Sequence, residues 1–254
     1  MQVITSKDNE IIKNIKKLNE KKYRDQMGQY IVEGIKLVKE AISEKAKIVK
    51  IVVCEDCEND ANFEKTLMYE IAKYECIYVN KKIFSFISDV QNPQGILAVI
   101  EKQNSEENID YKEDVIVVLD GIQDPGNLGT ILRTIDSINL KQVILSEKTA
   151  DPYNPKVVRS TMGAIYRVNM IRSKNIIETL KNMKKHKYDI VATSLQTNKS
   201  IYDIDYKKKV IIIGNEANGV SEEVLDLANE KVKIPMLRKN RKSKCSSSNR
   251  NNFV

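Results

Sequence analysis

Residues 115–138 read VIVVLDGIQDPGNLGTILRTIDSI and decide the fold, because they join a continuous apolar run to a glycine-rich turn and a helical pattern. Such a β-branched run is typical of a strand that is buried on both faces of a parallel sheet. Helical stretches near 127–138, 154–163 and 173–186 separate it from three similar runs, which are QVILS, DIVATS and KVIIIG. The second half of the chain is therefore predicted to be α/β with a mostly parallel sheet.

The first hundred residues alternate helical and strand patterns on a smaller scale. Apolar spacing predicts one helix over 8–22, and the remaining pattern predicts the helices IKLVKEAI and FEKTLMYEIAKY and the strands YIVEG, KIVKIVV, CIYV and GILAVI. The polar stretch EKQNSEENIDYKED follows and has no apolar periodicity. We therefore expect a small N-terminal α/β domain over 1–101, a linker over 102–113 and a second domain over 114–254.

Composition limits the class of protein. The chain has 254 residues with 41% hydrophobic and 30% charged residues, and no apolar stretch approaches the roughly 20 residues that span a bilayer. The opening MQVITSKDNE lacks the features of a secretory signal. We expect a cytoplasmic protein that makes no membrane contact.

The four cysteines give little support for a metal site. Cys54 and Cys57 form one C-x-x-C, but a zinc site needs two more ligands, and Cys76, Cys245 and the single histidine, His186, have no matching spacing. We expect no metal, and we interpret CEDCEND as the end of a strand that continues into an acidic loop.

The net charge of +7 is concentrated at one end. Residues 237–254 carry six basic and no acidic residues, so the rest of the chain is nearly neutral. A more informative cluster is KNIKKLNEKKYRDQMGQY, where six lysines and arginines are interleaved with two tyrosines. Such a surface can bind phosphate and stack bases, which makes Lys21, Lys22, Tyr23 and Arg24 candidate RNA contacts. Taken alone, the pattern favours a solvated helix face.

Two loops at predicted strand ends, together with Gly214 at the end of KVIIIG, hold five of the nine glycines. The loops are GIQDPGNLG after VIVVLD and NEANGVSEEVL after KVIIIG. This concentration of glycines indicates a ligand close to the backbone. Neither has the spacing of a P-loop. In the helix after the first loop, Leu128, Ile131, Leu132, Ile135 and Ile138 are predicted to face the core, with Arg133 on the opposite side. Ser221 is a candidate N-cap for a helix after the second loop.

These loops carry a resemblance to a known family. The segments LDGIQDPGNLGTILRT, NPKVVRSTMGAIYR, IIIGNEANGVSEE and VKIPM resemble, in order, the motifs of SpoU (TrmH-type) RNA ribose 2′-O-methyltransferases, in the SPOUT class of knotted α/β enzymes. The stretches EKKYRDQMGQYIVEGIKLVKEAI and ISDVQNPQGILAVIEK resemble that family's N-terminal substrate-binding domain.

The resemblance implies S-adenosylmethionine as cofactor, an RNA ribose as methyl acceptor, ribosomal RNA as the preferred substrate and a homodimer formed through the C-terminal domain. It places the cofactor against Thr193, Leu195, Gly214, Asn215, Glu216, Gly219, Ile234 and Met236. It assigns catalysis to Asn127, Arg133 and Glu216, with Arg133 also contacting RNA. Because arginine keeps its proton, we interpret Arg133 as a fork that binds phosphate and not as a base.

The resemblance ends after Met236, where the family continues with S-L-N and an apolar helix that completes the knot. This chain instead has LRKNRKSKCSSSNRNNFV. Synonymous codons for Arg238 to Val254, read one base later, encode G-K-T-E-S-L-N-V-A-V-A-T-G-I-I-L. We therefore hypothesise a frameshift near residue 237, which sequencing of the gene would test, and we expect poor cofactor binding and no methyl transfer from the chain with this tail. A non-catalytic RNA-binding protein remains the alternative function.

Overall fold

The computed structural model describes residues 3–56, 65–103 and 109–235. Cys57, Met236 and the tail of the frameshift hypothesis lie outside these ranges, and so does the segment that the resemblance assigns to the knot. The chain divides into two compact units, one containing Met1–Gln103 and Tyr153–Arg167, the other Asn104–Pro152 and Val168–Val254.

The first unit is a mixed α/β structure. Its five-stranded sheet has the order β1-β4-β3-β5-β2, in which β5 runs antiparallel to both β2 and β3. In chain order its elements are β1 Val3–Ile4, α1 Glu10–Lys17, α2 Lys21–Met27, β2 Gln29–Glu33, α3 Ile35–Ser43, β3 Ile48–Cys54, α4 Lys65–Ile71, β4 Cys76–Val79, α5 Lys81–Ile87 and β5 Ile96–Glu101.

One helix was predicted over 8–22, but the structure has two helices, α1 and α2, in this region, so the prediction of a single helix was wrong. The chain turns at Leu18–Glu20, where the guanidinium of Arg24 donates hydrogen bonds to the carbonyls of Leu18 (2.9 Å) and Asn19 (2.8 Å). Carbonyl groups at a helix end need partners from outside the helix. A side chain of α2 thus satisfies the end of α1, while the predicted apolar residues, such as Ile12 and Ile15, still face the core.

A short segment of the second half of the sequence belongs to the first unit. Helix α7, Pro155–Thr161, packs on β2. The ring centroids of Tyr153 and Tyr30 lie 4.8 Å apart. Arg167 pairs with both Glu40 (2.8 Å) and Glu44 (2.9 Å) on α3.

The second unit contains a six-stranded sheet of order β11-β9-β10-β6-β7-β8, and every pairing in it is parallel. This confirms the α/β class with a parallel sheet. Its elements are β6 Val115–Asp120, α6 Pro125–Ser137, β7 Gln142–Leu145, β8 Asn169–Arg172, α8 Ile176–Lys185, β9 Asp189–Thr193, β10 Lys209–Gly214, α9 Glu222–Leu227 and β11 Glu230–Val232.

Helix α6 buries the predicted apolar face with one exception. Leu128 and Leu132 are fully buried, whereas Ile138 is 62% exposed, so its assignment to the core was wrong. The helix ends at Ser137 and Ile138 is its C-cap, where the backbone leaves the helical path and the side chain no longer follows the buried stripe.

Two observations concern membranes and metals. No helix in the described part of the chain combines the length and apolar character needed to cross a membrane. Within the same ranges, no group of three or more His, Cys, Asp or Glu side chains is placed to hold a metal ion.

Candidate functional site

The carboxyl ends of four parallel strands form one edge of the second sheet. Gly214 at the end of β10 pairs with Asp120 at the end of β6, and Thr193 at the end of β9 pairs with Val232 of β11. Ligands of open α/β sheets bind beyond these ends. Both glycine-rich loops begin here, as the sequence predicted.

The loop after β6 is held from both sides. Gly121 has a positive φ of 74°, and its N–H donates to the hydroxyl oxygens of Ser146 (2.9 Å) and Thr149 (3.2 Å). Asp124 then caps α6, because its carboxylate accepts from the N–H of Asn127 at 2.8 Å. The start of α6 is thereby fixed relative to the strand end.

The loop after β10 depends on glycine at a close backbone crossing. A Cβ on Gly214 would lie 2.1 Å from the backbone nitrogen of Val220, so no other residue fits without displacing the loop. Asn215 and Gly219 exchange backbone hydrogen bonds of 2.9 Å in both directions, and the positive φ of Gly219 (74°) closes this turn. The turn positions Glu216 at the sheet edge.

Two side-chain hydrogen bonds join the loops. The amide of Asn127, which is 4% exposed, donates to Glu216 Oε1 at 2.7 Å, and the amide of Asn215 donates to the carbonyl of Gly121 at 2.8 Å. A buried amide that is bonded to a half-buried carboxylate forms a preorganised polar pair. The structure thus brings together two of the three predicted catalytic residues.

A third connection was missed in the sequence. Asp120 is buried, and its Oδ2 accepts from the N–H (2.9 Å) and the hydroxyl (2.7 Å) of Ser221. Ser221 is the N-cap position of α9, as predicted, but its hydroxyl bonds Asp120 and makes no side-chain cap. An acidic residue at the end of an apolar strand was the available signal, since a buried carboxylate needs a partner.

The remaining predicted cofactor residues lie at the β9 and β11 side of this edge. Thr193 donates its hydroxyl to the carbonyl of Ile212 at 3.0 Å, which ties β9 to β10. Leu195 is 91% exposed and Ile234 is 57% exposed, so both side chains present apolar surface to solvent. The glycine-dependent backbone and the exposed apolar surface at this edge can hold a ligand with an aromatic ring.

Arg133 lies on the exposed face of α6 and makes no hydrogen bond or ion pair with the described part of the chain. The structure does not connect it to the Asn127–Glu216 pair. Within the described residues its guanidinium is therefore unpaired and exposed.

The four predicted RNA-contact residues of the first unit differ in exposure. Lys22 and Tyr23 are available at the surface, and Lys21 pairs with Asp25 at 2.8 Å. Arg24, in contrast, is 2% exposed and satisfies the end of α1. Its burial excludes Arg24 from a direct RNA contact, and the prediction for that residue is corrected accordingly.

The parallel sheet and its glycine-dependent edge define an α/β ligand-binding protein, and comparisons with known proteins specify which kind. Residues 114–243 match the SpoU rRNA Methylase family, and residues 9–98 match the MRM3-like substrate binding domain. The chain therefore belongs to the SpoU rRNA methylase family.

Relatives span nearly the whole chain. The 23S rRNA (guanosine(2553)-2′-O)-methyltransferase RlmP of Bacillus subtilis is 29% identical over 93% of this chain and 91% of its own length. The AdoMet-bound structure of an rRNA methyltransferase from Sinorhizobium meliloti has a TM-score of 0.80 at 29% identity and covers 96% of this chain and 93% of that one. A TrmH-family protein from Porphyromonas gingivalis has a TM-score of 0.78 at 29% identity, with 91% and 90% coverage.

Proposed function

We propose that this protein is an RNA methyltransferase that transfers the methyl group of S-adenosylmethionine to a ribose 2′-hydroxyl, with ribosomal RNA as its substrate. The observation that carries this proposal is the Asn127–Glu216 pair at the glycine-dependent sheet edge, the same edge at which the apolar side chains of Leu195 and Ile234 are exposed. The family membership and the named activity of the Bacillus subtilis relative support it.

The cofactor supplies a methyl group on a positively charged sulfur, and the protein must position the acceptor in line with it. Gly219, where a Cβ would meet nothing within 4 Å, leaves open space at the edge, and Leu195 and Ile234 offer apolar surface to an adenine ring. Met236 is a proposed part of the same surface. Orientation of this kind can supply much of the rate of a displacement reaction.

A ribose hydroxyl is a poor nucleophile until its proton begins to leave. Arg133 holds its proton and cannot remove another. We assign it to the phosphate beside the target ribose, where its planar fork polarises the 2′-hydroxyl while the proton passes to phosphate or water. The Asn127–Glu216 pair keeps the two loops in register and orients the acceptor.

We further propose a homodimer formed through the second unit, in which Arg133 of one subunit faces the cofactor of the other. The free guanidinium of Arg133 supports this arrangement, because it has no partner within the described chain. A cytoplasmic location follows from the proposed ribosomal substrate. Light scattering of the purified protein measures the subunit number, and a monomer that retains activity would contradict the dimer.

The second candidate is an RNA-binding protein without catalysis. The observation that favours it is the tail after Met236, which lacks the family's S-L-N motif and apolar helix. Calorimetry with S-adenosylmethionine separates the two candidates, since only an enzyme needs the cofactor.

The decisive experiment compares two proteins in one methyl-transfer assay. The first is the chain ending in Val254, and the second, the frame-restored protein, carries G-K-T-E-S-L-N-V-A-V-A-T-G-I-I-L in place of residues 238–254. Both receive radiolabelled S-adenosylmethionine and ribosomal RNA from cells that lack the gene, and blocked 2′-hydroxyls are then mapped.

We expect transfer to one ribose by the frame-restored protein and none by the chain ending in Val254. The apolar helix of the restored tail would bury several side chains, each contributing about 1.5–3 kcal/mol. Equal turnover by the two proteins would refute the frameshift hypothesis. RNA binding without cofactor binding by the folded, frame-restored protein would favour the second candidate.

A further inference from the structure

Two aromatic rings in the first unit each have two lysine ammonium groups beside them. Around Phe86 on α5, the Nζ atoms of Lys7 and Lys16 lie 4.6 and 5.3 Å from the ring centroid. Around Tyr23 on α2, the Nζ atoms of Lys17 and Lys22 both lie 5.7 Å from the ring centroid. Both rings are half-buried, so part of each remains accessible. We call these four lysines and two rings the lysine–aromatic strip.

The strip rests on a rigid base. Helix α1 packs against α5, and Phe86 contacts the hydrophobic core that includes Ile12 and Ile15. Lys16 and Lys17 are consecutive residues of α1, and each reaches a different ring, so the two clusters are adjacent. The Phe86 ring is therefore held against the core, while the long lysine side chains can move.

Two carboxylates near these lysines in sequence, Asp8 and Asp25, pair with other lysines, and Glu10 and Glu20 pair with none of the four within the described residues. Asp8 pairs with Lys13 at 3.2 Å, and Asp25 pairs with Lys21 at 2.8 Å and with Lys102 at 2.6 Å. Within residues 3–56, 65–103 and 109–235, the four lysines of the strip make no ion pair; they are Lys7, Lys16, Lys17 and Lys22.

Two ammonium groups beside one ring repel each other, and the ring offsets this by only about 0.5–1 kcal/mol for each exposed contact. An anion placed between the two lysines would relieve the repulsion. A flat group on the accessible ring would add stacking. A single nucleotide whose base is accessible supplies both the anion, as its phosphate, and the flat group, as its base.

We propose that Phe86, Lys7 and Lys16 form a binding site for one unpaired nucleotide of RNA, and that Tyr23, Lys17 and Lys22 bind its neighbour. The base stacks on the ring and the lysines turn to the adjoining phosphate. The nucleotide must be unpaired, because the faces of bases in a duplex are already stacked. This inference rests on the proposed RNA substrate, and it names the part of that RNA which the first unit contacts.

The test uses the full chain and three variants. Phe86→Leu removes the aromatic face but keeps an apolar side chain against the core. The double variant K7A/K16A removes the two charges beside Phe86. The matched control, K184A/K185A, removes two exposed lysines from α8, where no ring contact involves them.

The probe is a single-stranded RNA oligonucleotide that contains one 2-aminopurine, whose fluorescence falls on stacking, and the same strand in a duplex serves as the comparison. Binding is measured from 50 to 200 mM salt without cofactor. Thermal unfolding of each variant checks that the fold is retained.

We expect Phe86→Leu to weaken single-strand binding about 5-fold to 150-fold, to lose the fluorescence change and to leave the salt dependence unaltered. K7A/K16A should reduce the slope of log K against log salt by about 0.7, the contribution of the one phosphate that the two lysines contact. The control should leave the fluorescence change intact.

Wild-type affinity in a folded Phe86→Leu variant would overturn the proposal, and so would equal losses in the control and in K7A/K16A. Absence of single-strand binding by the unaltered chain would also overturn it. None of these results bears on methyl transfer, which is measured separately with the frame-restored protein, so failure here and failure of the proposed function are distinguishable.

Discussion

The sheet edge of the second unit and the lysine–aromatic strip of the first unit differ in whether their polar and charged groups have partners within the chain. At the edge, Asn127 and Glu216 bond each other across 89 residues of sequence, and Asp120 holds Ser221 across 101. In the strip, Lys16, Lys17 and Lys22 project from short helices and Lys7 lies in the turn before α1. None of the four has a carboxylate partner in the described chain. One region is satisfied internally, and the other is left with unbalanced charge.

This difference predicts how each region responds to amino-acid substitution. A preorganised edge transmits small displacements to the reacting atoms, so its substitutions should act on catalysis and on folding. A charged surface acts by summed electrostatics, so its substitutions should act on affinity and depend on salt.

Arg133 gives the strongest test of the comparison, because it is exposed like the strip lysines but is proposed to act at the edge. Arg133→Ala in the frame-restored protein should lower methyl transfer about 10²–10³-fold or more, with stability and cofactor binding nearly unchanged. Arg133→Lys should recover little, since a point charge cannot replace the planar fork. Single-turnover methyl transfer measures the effect.

The control for this prediction is Lys181→Ala, which removes one exposed positive charge from α8. A salt-dependent loss of RNA affinity in Arg133→Ala, with normal turnover at saturating RNA, would show that Arg133 contributes to RNA binding, like the strip lysines, and not to catalysis at the edge.

Gly214→Ala should have the next largest effect. The added Cβ would lie 2.1 Å from the backbone nitrogen of Val220, so the loop must move, and we expect a loss of about 3 kcal/mol in the free energy of unfolding. Gly28, the C-cap of α2 with a φ of 63° and open space around it, is the matched glycine of the first unit. Gly28→Ala should cost about 1 kcal/mol from backbone strain alone.

Urea unfolding of both glycine variants measures the difference. Equal losses would mean that the edge tolerates displacement as well as the helical surface does, which would remove the basis for calling it preorganised.

The smallest expected effect concerns Asp25. Partial burial raises its pKa, but hydrogen bonds and charges from Lys102 and Lys21 outweigh burial and lower the pKa from 3.8 to about 2. Because the folded pKa is below the unfolded one, the ion pairs stabilise the protein above about pH 4, and this stability is lost as pH falls towards 2. The carboxylate is half exposed, so we expect less than about 1 kcal/mol.

Unfolding of the wild-type protein and of Asp25→Asn at pH 6 and pH 3 isolates this contribution. The difference between the two proteins should shrink at pH 3, and a difference that grew on acidification would contradict the assigned direction of the pKa.

The sequence predicted much of the sheet edge because its signals are local. Continuous β-branched runs define β6 and β10, and the glycines of the adjoining loops mark where the backbone turns sharply. Asn127 and Glu216 were identified through resemblance to a family, while their direct contact depends on two strands becoming neighbours. No local pattern encodes that adjacency.

Three features could not be predicted for the same reason. The break between α1 and α2 depends on Arg24, whose side chain looks like an ordinary surface charge in the sequence. Ile138 continues the apolar spacing of α6 but lies one residue past its end. Asp120 gains its role only from Ser221, and that contact forms when the two loops meet.

The excursion of Tyr153–Arg167 into the first unit has a consequence for protein synthesis. The first unit is complete only when residue 167 has been made, roughly 60 residues after its main segment ends at Gln103. At about 5–20 residues per second, the ribosome needs roughly 3–12 s to supply them. During that interval β2 emerges without α7, and the nascent chain exposes an apolar surface that a chaperone can bind.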